Sequence, residues 1–329
     1  MKGIHEIISK FCVMVNMKKE DCWYIGIIKK STKQDCPFFL DEKKRDITIL
    51  KLKQRYWAAD PFCISFKNEN YLFYELFDKY RHKGLIAFSK IENDEITKPK
   101  IILDEKYHLS FPNIFKLNDV FYMIPETSGS QSIKLFKAAR FPDKWIEVKT
   151  IRDNCSSVDT IILEDSNKKY LITSDTVKGS PCLVTNYMFE VDNEFEILKS
   201  YKLTTGNDGN RNGGNIVNID NDKYRVGQIC LKRYGEGLKI YKIESLNPYT
   251  EKLELTLDCN NIKNQINDLN IEFIGLHTYN VSEKYEVIDF LCEEELPLYI
   301  RIIRFIYKGY GYIKRRIIKY VFGRRDYKY

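Results

Sequence analysis

The sequence comprises 329 residues, 30% of them charged, and its formal charge of +7 is distributed unevenly. Residues 299–329 contain ten lysines or arginines and one acid, so the residues before them sum to about −2. A near-neutral body argues against a protein that grips nucleic acid along a basic groove. The apolar fraction of 43%, with 23 tyrosines and 19 phenylalanines, excludes a disordered chain.

The cysteines and the N-terminal segment indicate a cytoplasmic protein. Nine cysteines are scattered without a C-x-x-C pair or other metal-ligand spacing, so we expect free thiols, a reducing compartment and no bound metal or other cofactor. Lys10 interrupts the first apolar run, which argues against a signal peptide, and no apolar stretch reaches the roughly 18 residues that span a bilayer.

The segment CWYIGIIKK, which begins at Cys22, predicts the first strand of the fold. We expect Trp23 and Tyr24 to begin a strand that pairs with the last repeat of the chain. Such pairing closes a ring of sheets and covers a sheet edge that would otherwise be exposed. We interpret this role of Trp23 as structural.

A repeat follows, in which a polar turn precedes an aromatic residue and a short alternating strand. Five units align on Tyr71, Tyr122, Tyr170, Tyr224 and Tyr285, and their spacings of 51, 48, 54 and 61 residues match one four-stranded propeller blade. The fold class is therefore all-β, a five-bladed β-propeller. Because strand side chains alternate, the residue four positions after each tyrosine lies on the same face as that tyrosine. These residues are Glu75, Glu126, Ser174, Gln228 and Asp289.

A second motif lies upstream of each tyrosine and predicts the innermost strand of each blade. The five motifs read AADPF from Ala58, HLSFPNI from His108, SVDTII from Ser157, RNGGNIV from Arg211 and GLHTYN from Gly275. Innermost strands line the channel of a propeller, so their polar side chains should converge there. The expected set is Asp60, His108, Ser110, Asp159, Asn215 and His277.

These motifs, together with Y-x-F-Y-E, M-I-P-E, F-P-D-K-W and Y-R-x-G-Q-x-C, occur in the order found in a known domain. Residues 21–292 resemble the N-terminal domain of plant glucosamine inositolphosphorylceramide transferase and its bacterial relatives. The resemblance implies a propeller related to those of family 43 glycoside hydrolases. The resemblance implies that in the plant relatives this domain precedes a separate glycosyltransferase domain, which we do not expect in this chain.

Glycosidic bond chemistry requires two carboxyl groups, one that protonates the leaving oxygen and one that is ionised. The candidate catalytic residues are Asp60, Asp159 and Glu126. The resemblance implies that Asp60, followed by Pro61, is a general base. Blade two, however, offers Ser110 and Pro112 where those hydrolases place a second aspartate, which argues against simple glycoside hydrolysis.

Candidate substrate-binding residues surround these carboxylates. His108 and His277 fall on predicted channel strands, although a single histidine often has only a structural role. Trp57 could stack on a sugar or simply fill space between blades, and Ser110 accompanies His108. Arg225 could bind a phosphate or form a salt bridge between blades. Alternation places Arg225 and Gln228 on opposite faces, so we expect that they do not both reach the channel.

The glycine- and asparagine-rich segment 206–214 lacks the Lys-Ser/Thr ending of a phosphate loop. We interpret it as a long loop that enters blade four and could cover the channel mouth.

The tail predicts a basic amphipathic helical segment, in which basic residues recur at close to helical spacing. Its expected membrane-contacting residues are Arg301, Arg304, Lys308, Arg315 and Lys319. Such a segment can lie on an anionic membrane, or it can pack on the propeller by its isoleucines with the charges in water. We therefore divide the chain into an N-terminal extension (1–20), a propeller (21–298) and a basic tail (299–329).

The sequence thus predicts a carbohydrate-active propeller at the cytoplasmic face of the membrane. Its substrate would be a sugar, nucleotide-sugar or glycolipid, and it would transfer or process a sugar in the synthesis of a surface polysaccharide or glycolipid. The alternative is a non-catalytic module that binds a glycan or lipid headgroup and supports a partner glycosyltransferase. Nucleic acid is not an expected partner.

Overall fold

The computed structural model describes residues 19–30, 37, 44–92, 95–177, 180, 182–267 and 271–307. Five antiparallel sheets of four or five strands account for most of these residues. The predicted all-β fold with five blades is confirmed. The predicted domain limits stay a prediction, because residues 1–18 and 308–329 lie outside the described residues.

The strands follow the predicted repeat, and each blade is one sheet. The first strands of the described residues are β1 (Lys19–Lys29) and β2 (Ile47–Ile49), which belong to the last blade. Blade one consists of β3 (Tyr56–Phe66), β4 (Glu69–Asp78), β5 (Lys83–Glu92), β6 (Glu95–Ile96) and β7 (Lys100–Leu103). Blade two consists of β8 (Ser110–Leu117), β9 (Val120–Glu126), β10 (Ser132–Arg140) and β11 (Lys144–Asp153).

Blade three consists of β12 (Ser157–Asp165), β13 (Lys168–Thr176), β14 (Val184–Val191) and β15 (Ile197–Gly206). Blade four consists of β16 (Asp208–Asn212), β17 (Val217–Ile219), β18 (Asp222–Ile229), β19 (Gly237–Leu246) and β20 (Tyr249–Leu257). Blade five combines β21 (Tyr279–Val281) and β22 (Tyr285–Glu295) with β1 and β2. Within the described ranges, the helical segments are a 3-10 turn (Ser128–Ser130), a short helix (Cys259–Gln265) and a C-terminal helix at 298–307.

Two-residue turns join the first and second strands of blades one and two. Lys67 and Asn68 both have positive φ, as do Asn118 and Asp119. Two consecutive positive φ angles are typical of the tight hairpin turns that match strand twist, and asparagine and aspartate tolerate them. The polar turns of the repeat therefore set the hairpins that place each tyrosine on a second strand.

The closing strand lies where the sequence predicted it. β1 pairs along its whole length with β22, and Trp23 faces Leu291 in this register. The ring is thus closed by pairing the two ends of the described propeller, which satisfies the backbone groups of both strands.

Neighbouring innermost strands contact each other from β21 through β3, β8 and β12 to β16. Tyr279 N–H donates to the carbonyl of Gly213 at 2.8 Å and so joins blades four and five. The predicted loop 206–214 is wrong in its middle, because β16 occupies Asp208–Asn212 as the innermost strand of blade four. Polar residues such as Arg211 and Asn212 form this strand because their side chains find partners in the channel.

Two further features concern the cysteines and the helices. The seven cysteines within the described ranges are free thiols. Among the described residues, no helix is long and apolar enough to cross a bilayer.

Candidate functional site

The two aspartates of the channel occupy equivalent positions in their blades. In blades one, two and three, the pairing between the first and second strands shifts register just before the polar residue of the repeat, which is Glu75, Glu126 or Ser174. The residues at this shift are Asp60, Phe111 and Asp159, with φ of 52°, 44° and 49°. Positive φ costs free energy for residues other than glycine and is often found at functional sites. Blade two thus carries Phe111 at this position, and Ser110 comes one residue earlier.

Asp60 lies in a buried network that spans blades five and one. Its carboxylate Oδ1 lies 3.0 Å from His277 Nε2 and accepts a hydrogen bond from the Thr278 hydroxyl at 2.8 Å. Oδ2 accepts the backbone N–H of Phe111 at 3.0 Å. On the other side of the imidazole, His277 Nδ1 lies 3.0 Å from Asp289 Oδ2, off the line of the N–H, so this contact is an ion pair rather than a linear hydrogen bond.

The charges in this network fix the protonation of its members. Burial lowers the pKa of His277, but the adjacent Asp289 and Asp60 more than reverse this and raise it to about 10. Burial also raises the pKa of Asp60, yet His277, Thr278 and the Phe111 N–H together hold it below its usual range. At neutral pH the arrangement is an imidazolium between two carboxylates.

The same three side chains are a geometric candidate for a metal ion. Asp60, His277 and Asp289 offer ligand atoms within 4.8 Å of one another. A metal needs the neutral imidazole, whereas both carboxylates here stabilise the protonated ring. Asp289 also accepts three backbone N–H groups, from Asp60, His277 and Thr278. Asp60 and Asp289 therefore have hydrogen-bond partners without a metal. A channel without a metal stays a prediction.

Arg211 of blade four holds Asp159 of blade three. The Arg211 guanidinium pairs with Oδ2 through Nε and with Oδ1 through Nη2, the latter at 3.3 Å. Gln228 Nε2 also donates to Oδ2, at 3.0 Å. Asp159 is 2% exposed and Arg211 8% exposed, so this is a buried ion pair.

Burial, together with the negative charges of Asp60 and Glu126, raises the pKa of Asp159 to about 6 against the opposing effect of Arg211. The Asp159 carboxyl therefore remains mostly ionised at neutral pH and takes up a proton at slightly acidic pH. Asp60 and Asp159 occupy equivalent positions, and their surroundings shift their pKa values in opposite directions.

Two further carboxylates lie near the aspartates. Glu126 accepts the Ser110 hydroxyl at 3.0 Å and the Ser128 N–H at 2.8 Å. Glu75 lies 3.2 Å from Nε2 of His108, whose side chain is 43% exposed.

Burial raises the pKa of Glu75, and His108 partly opposes this effect. Glu75 raises the pKa of His108 to about 9, although burial acts in the other direction. The hydrogen bond that His108 Nδ1 accepts from the Gly84 N–H is lost on protonation and so works against this rise.

Aromatic rings cover the network on one side. The rings of Trp23 and His277 have centroids 3.9 Å apart, and Tyr234 lies 5.1 Å from His277. The Arg211 guanidinium also lies 5.0 Å from the Tyr234 ring centre. Trp23 therefore contacts the candidate site in addition to closing the ring, which corrects its purely structural interpretation.

Two predicted substrate-binding residues lie away from this network. Arg225 pairs with Glu251 at 2.6 Å and donates to the Gly209 carbonyl, so the structure does not bring it to the channel, which corrects its predicted role. Gln228 does reach the channel, as strand alternation predicts. The Trp57 ring stacks on Phe77 at 4.2 Å and lines a cleft of about 460 Å³ between β1 and blade one.

The predicted membrane contacts are only partly described. Arg304 is 3% exposed and pairs with Glu20 at 2.8 Å, so its predicted contact with a membrane is wrong. Arg301 is half-buried on the same helix. Lys308, Arg315 and Lys319 lie outside the described residues.

Sequence reasoning missed Arg211 and Tyr234, and assigned no role to Asp289. Arg211 is the first residue of the RNGGNIV motif, and its position on an innermost strand was the available signal. Asp289 stood at the repeated polar position after Tyr285. Tyr234 belongs to the Y-G pair that follows the Y-R-x-G-Q-x-C motif, but the sequence indicated no role for it, and it reaches the network from the segment between β18 and β19.

The imidazolium of His277 predicts a pH dependence of stability. Its pKa is about 6.5 in the unfolded chain and about 10 in the folded protein. The stabilisation is therefore fully present below about pH 6.5 and is lost as pH rises through about 10. We expect the Tm of the wild type to fall as pH rises across this window. The His277→Gln variant should lack the part of this fall that comes from the imidazolium. The exposed His82→Gln variant should keep it, and equal slopes in both variants would contradict the assignment.

Comparison with known proteins adds family information to this geometry. Residues 52–282 match the family described as glucosamine inositolphosphorylceramide transferase 1, N-terminal. A protein of Arabidopsis thaliana with the name glucosamine inositolphosphorylceramide transferase 1 is 34% identical over 202 residues, which is 58% of this chain and 26% of that protein. The rice protein of the same name, from subspecies indica, is 29% identical over 200 residues, with the same coverage. The chain thus spans about a quarter of the length of the curated relatives it matches.

Solved structures agree in fold. An α-L-arabinofuranosidase of Lactobacillus brevis superposes with a TM-score of 0.53 at 11% identity, over 70% of this chain and 80% of that one. The catalytic domain of a Coprinopsis cinerea family 62 α-L-arabinofuranosidase superposes with a TM-score of 0.53 at 10% identity, over 71% of this chain and 90% of that one. A thermostable family 43 glycoside hydrolase superposes with a TM-score of 0.52 at 14% identity, over 73% of this chain and 89% of that one. At these identities the likeness concerns the fold alone.

Proposed function

This chain belongs to the family of the N-terminal domain of glucosamine inositolphosphorylceramide transferase 1, and from that premise we propose that its channel transfers or processes a sugar. The product would be a surface polysaccharide or a glycolipid. The transferase name of the relatives supports the choice of transfer, and the departure of blade two from the hydrolase pattern argues against hydrolysis. The substrate would be a nucleotide-sugar or a sugar linked to a lipid.

The observation that carries this proposal is the matched pair of aspartates. Asp60 and Asp159 occupy the same strained position in two blades, and their pKa values are shifted in opposite directions. Glycosyl transfer requires one ionised carboxylate and one group that donates a proton near the operating pH. Asp60 is suited to the first role and Asp159, with a pKa of about 6, to the second.

In this mechanism Asp60 accepts a proton from the acceptor hydroxyl, or stabilises the positive charge that develops on the transferred sugar. Asp159 protonates the leaving oxygen where that oxygen belongs to a sugar. His277 is a positioning residue that keeps Asp60 ionised. Glu126, with Ser110, and the exposed edge of His108 would contact the hydroxyl groups of the substrate.

A specific observation favours a second candidate, a non-catalytic glycan- or headgroup-binding module. Asp60 and Asp159 are only 4% and 2% exposed, and each accepts at least two hydrogen bonds or ion pairs from neighbouring side chains. A carboxylate so engaged offers few free lone pairs to a substrate. In this alternative the channel binds a glycan or lipid headgroup, and a partner glycosyltransferase performs the chemistry.

We further propose that this activity takes place at the cytoplasmic face of the membrane. The support is the local charge of residues 299–329, which is attracted to anionic lipid.

The experiment incubates the purified chain with a panel of nucleotide-sugars and glycolipid acceptors. Mass spectrometry would measure the sugar-acceptor product and the released nucleotide, and a thermal shift in the same samples would report binding. Product formation supports transfer. A thermal shift without product across the panel would support the binding module, and released free sugar without acceptor would indicate hydrolysis.

A further inference from the structure

The C-terminal helix at 298–307 is attached to the propeller through an arginine. Arg304 Nε donates to the carbonyl of Lys79 at 2.8 Å, and its Nη2 pairs with Glu20 at 2.8 Å. Ile300, one turn earlier, is fully buried. Ile300 and Arg304 therefore form the inward edge of the helix, and this contact fixes which face of the helix points outward.

The outward face is apolar. Leu298, Ile302 and Ile306 recur every four residues, so they form one stripe along the helix, and they are 52%, 39% and 59% exposed. Tyr299 and Tyr307 of the same helix are 45% and 49% exposed, and the Tyr299 hydroxyl donates to Gln54 at 2.8 Å. We call Leu298, Ile302 and Ile306 the outer stripe.

This concentration is unusual for a surface. Among the described residues, twelve large apolar side chains are exposed, and five of them fall within this ten-residue helix. Single exposed apolar side chains need no explanation, but a contiguous group marks an interaction surface. The sequence alone predicted the reverse, with basic residues on the contacting side.

The charge that follows the helix identifies the partner. Residues 308–329 contain eight lysines or arginines and one aspartate. Apolar side chains and tyrosines next to a cationic segment are typical of a helix that lies in the interface of an anionic bilayer. A second copy of the chain would bring an identical cationic segment against the first, so charge disfavours a dimer through this face.

We propose that the outer stripe inserts into the interface of an anionic bilayer and that the Arg304 contact sets the orientation of the propeller on the membrane. This inference rests on the proposed membrane association and not on the channel chemistry. The cationic residues after 307 attract the surface, whereas the outer stripe enters it.

The test measures co-sedimentation of the full chain with vesicles of phosphatidylcholine mixed with phosphatidylglycerol. We expect Ile302→Ser/Ile306→Ser to lower the partition coefficient by about tenfold or more, because two apolar side chains no longer leave water. Leu198→Ser is the matched control, since Leu198 is also 59% exposed but lies on the outer strand of blade three, and it should bind like the wild type. Circular dichroism would verify the fold of each variant.

A second readout reports how deeply the helix enters the bilayer. Tryptophan introduced by Ile302→Trp should be quenched by brominated phosphatidylcholine in the anionic vesicles. Equal binding of the wild type and the double serine variant, or no quenching, would overturn the inference while the proposed membrane association stood. Absence of wild-type binding would overturn both. A dimer in light scattering that the double variant abolishes would assign the outer stripe to a second copy and also overturn the inference.

Discussion

Replacing Asp60 with asparagine is expected to lower the turnover of the sugar substrate by about 10²–10⁴-fold while the propeller remains folded. The amide cannot accept a proton or carry the negative charge that the proposed mechanism requires. Asparagine tolerates the positive φ of this position. Its amide oxygen can still accept the Phe111 N–H, and its amide nitrogen can donate to the hydroxyl oxygen of Thr278. Steady-state kinetics on the substrate found in the panel would measure the effect.

The matched control for Asp60→Asn is Asp119→Asn. Asp119 also has positive φ, at 62°, but its side chain is 94% exposed at the hairpin of blade two. This variant should retain wild-type turnover, and both variants should show wild-type circular dichroism. Full activity of Asp60→Asn would remove Asp60 from the mechanism and favour the binding module.

Replacing Arg211 with methionine is expected to lower the free energy of unfolding by about 3–5 kcal/mol, because Asp159 would remain buried with its charge uncompensated. The pKa of Asp159 would also rise further above about 6. A carboxyl whose folded pKa is raised stabilises the protein below its unfolded pKa of about 3.8, and this effect is lost as pH rises through the folded pKa. The variant should therefore be relatively more stable at mildly acidic than at alkaline pH.

Urea unfolding at several pH values would measure this effect. Arg211→Met combined with Asp159→Asn should recover part of the loss, because no charge is then left unpaired. Arg140→Met is the control, since Arg140 is 70% exposed in its pair with Asp143, and the expected change is below about 1 kcal/mol. Equal losses in the Arg211 and Arg140 variants would contradict the view that Arg211 holds a buried charge.

The fold could be predicted because its signals are local and repeated. Each tyrosine lies near the start of a second strand that follows a polar turn. Period-two alternation then places Glu126 and Gln228 on the same face as the tyrosines of their strands. Propeller topology brings the first strands together, so Asp60 and Asp159 could be placed in one channel without any view of the structure. The same alternation correctly separated Arg225 from Gln228.

The pairings within the site could not be predicted, because they depend on contacts between distant blades. Arg211 meets Asp159 across the boundary between blades three and four, and its segment resembles a glycine-rich loop when it is read in isolation. Trp23 reaches His277 only because β1 closes the ring. The orientation of the C-terminal helix could not be predicted for the same reason. Helical periodicity defines two faces, but it does not show which of them contacts the propeller at Arg304.

The central claim is that the sugar ligand binds in the channel beside Asp60 and His277. The chain contains four histidines, so nitrogen-15 labelling of histidine gives a spectrum in which each imidazole can be assigned by substitution. Titration with the ligand from the panel should shift the resonances of His108 and His277 and leave those of the exposed His82 unchanged. Saturable binding that leaves both His108 and His277 unchanged would contradict this account.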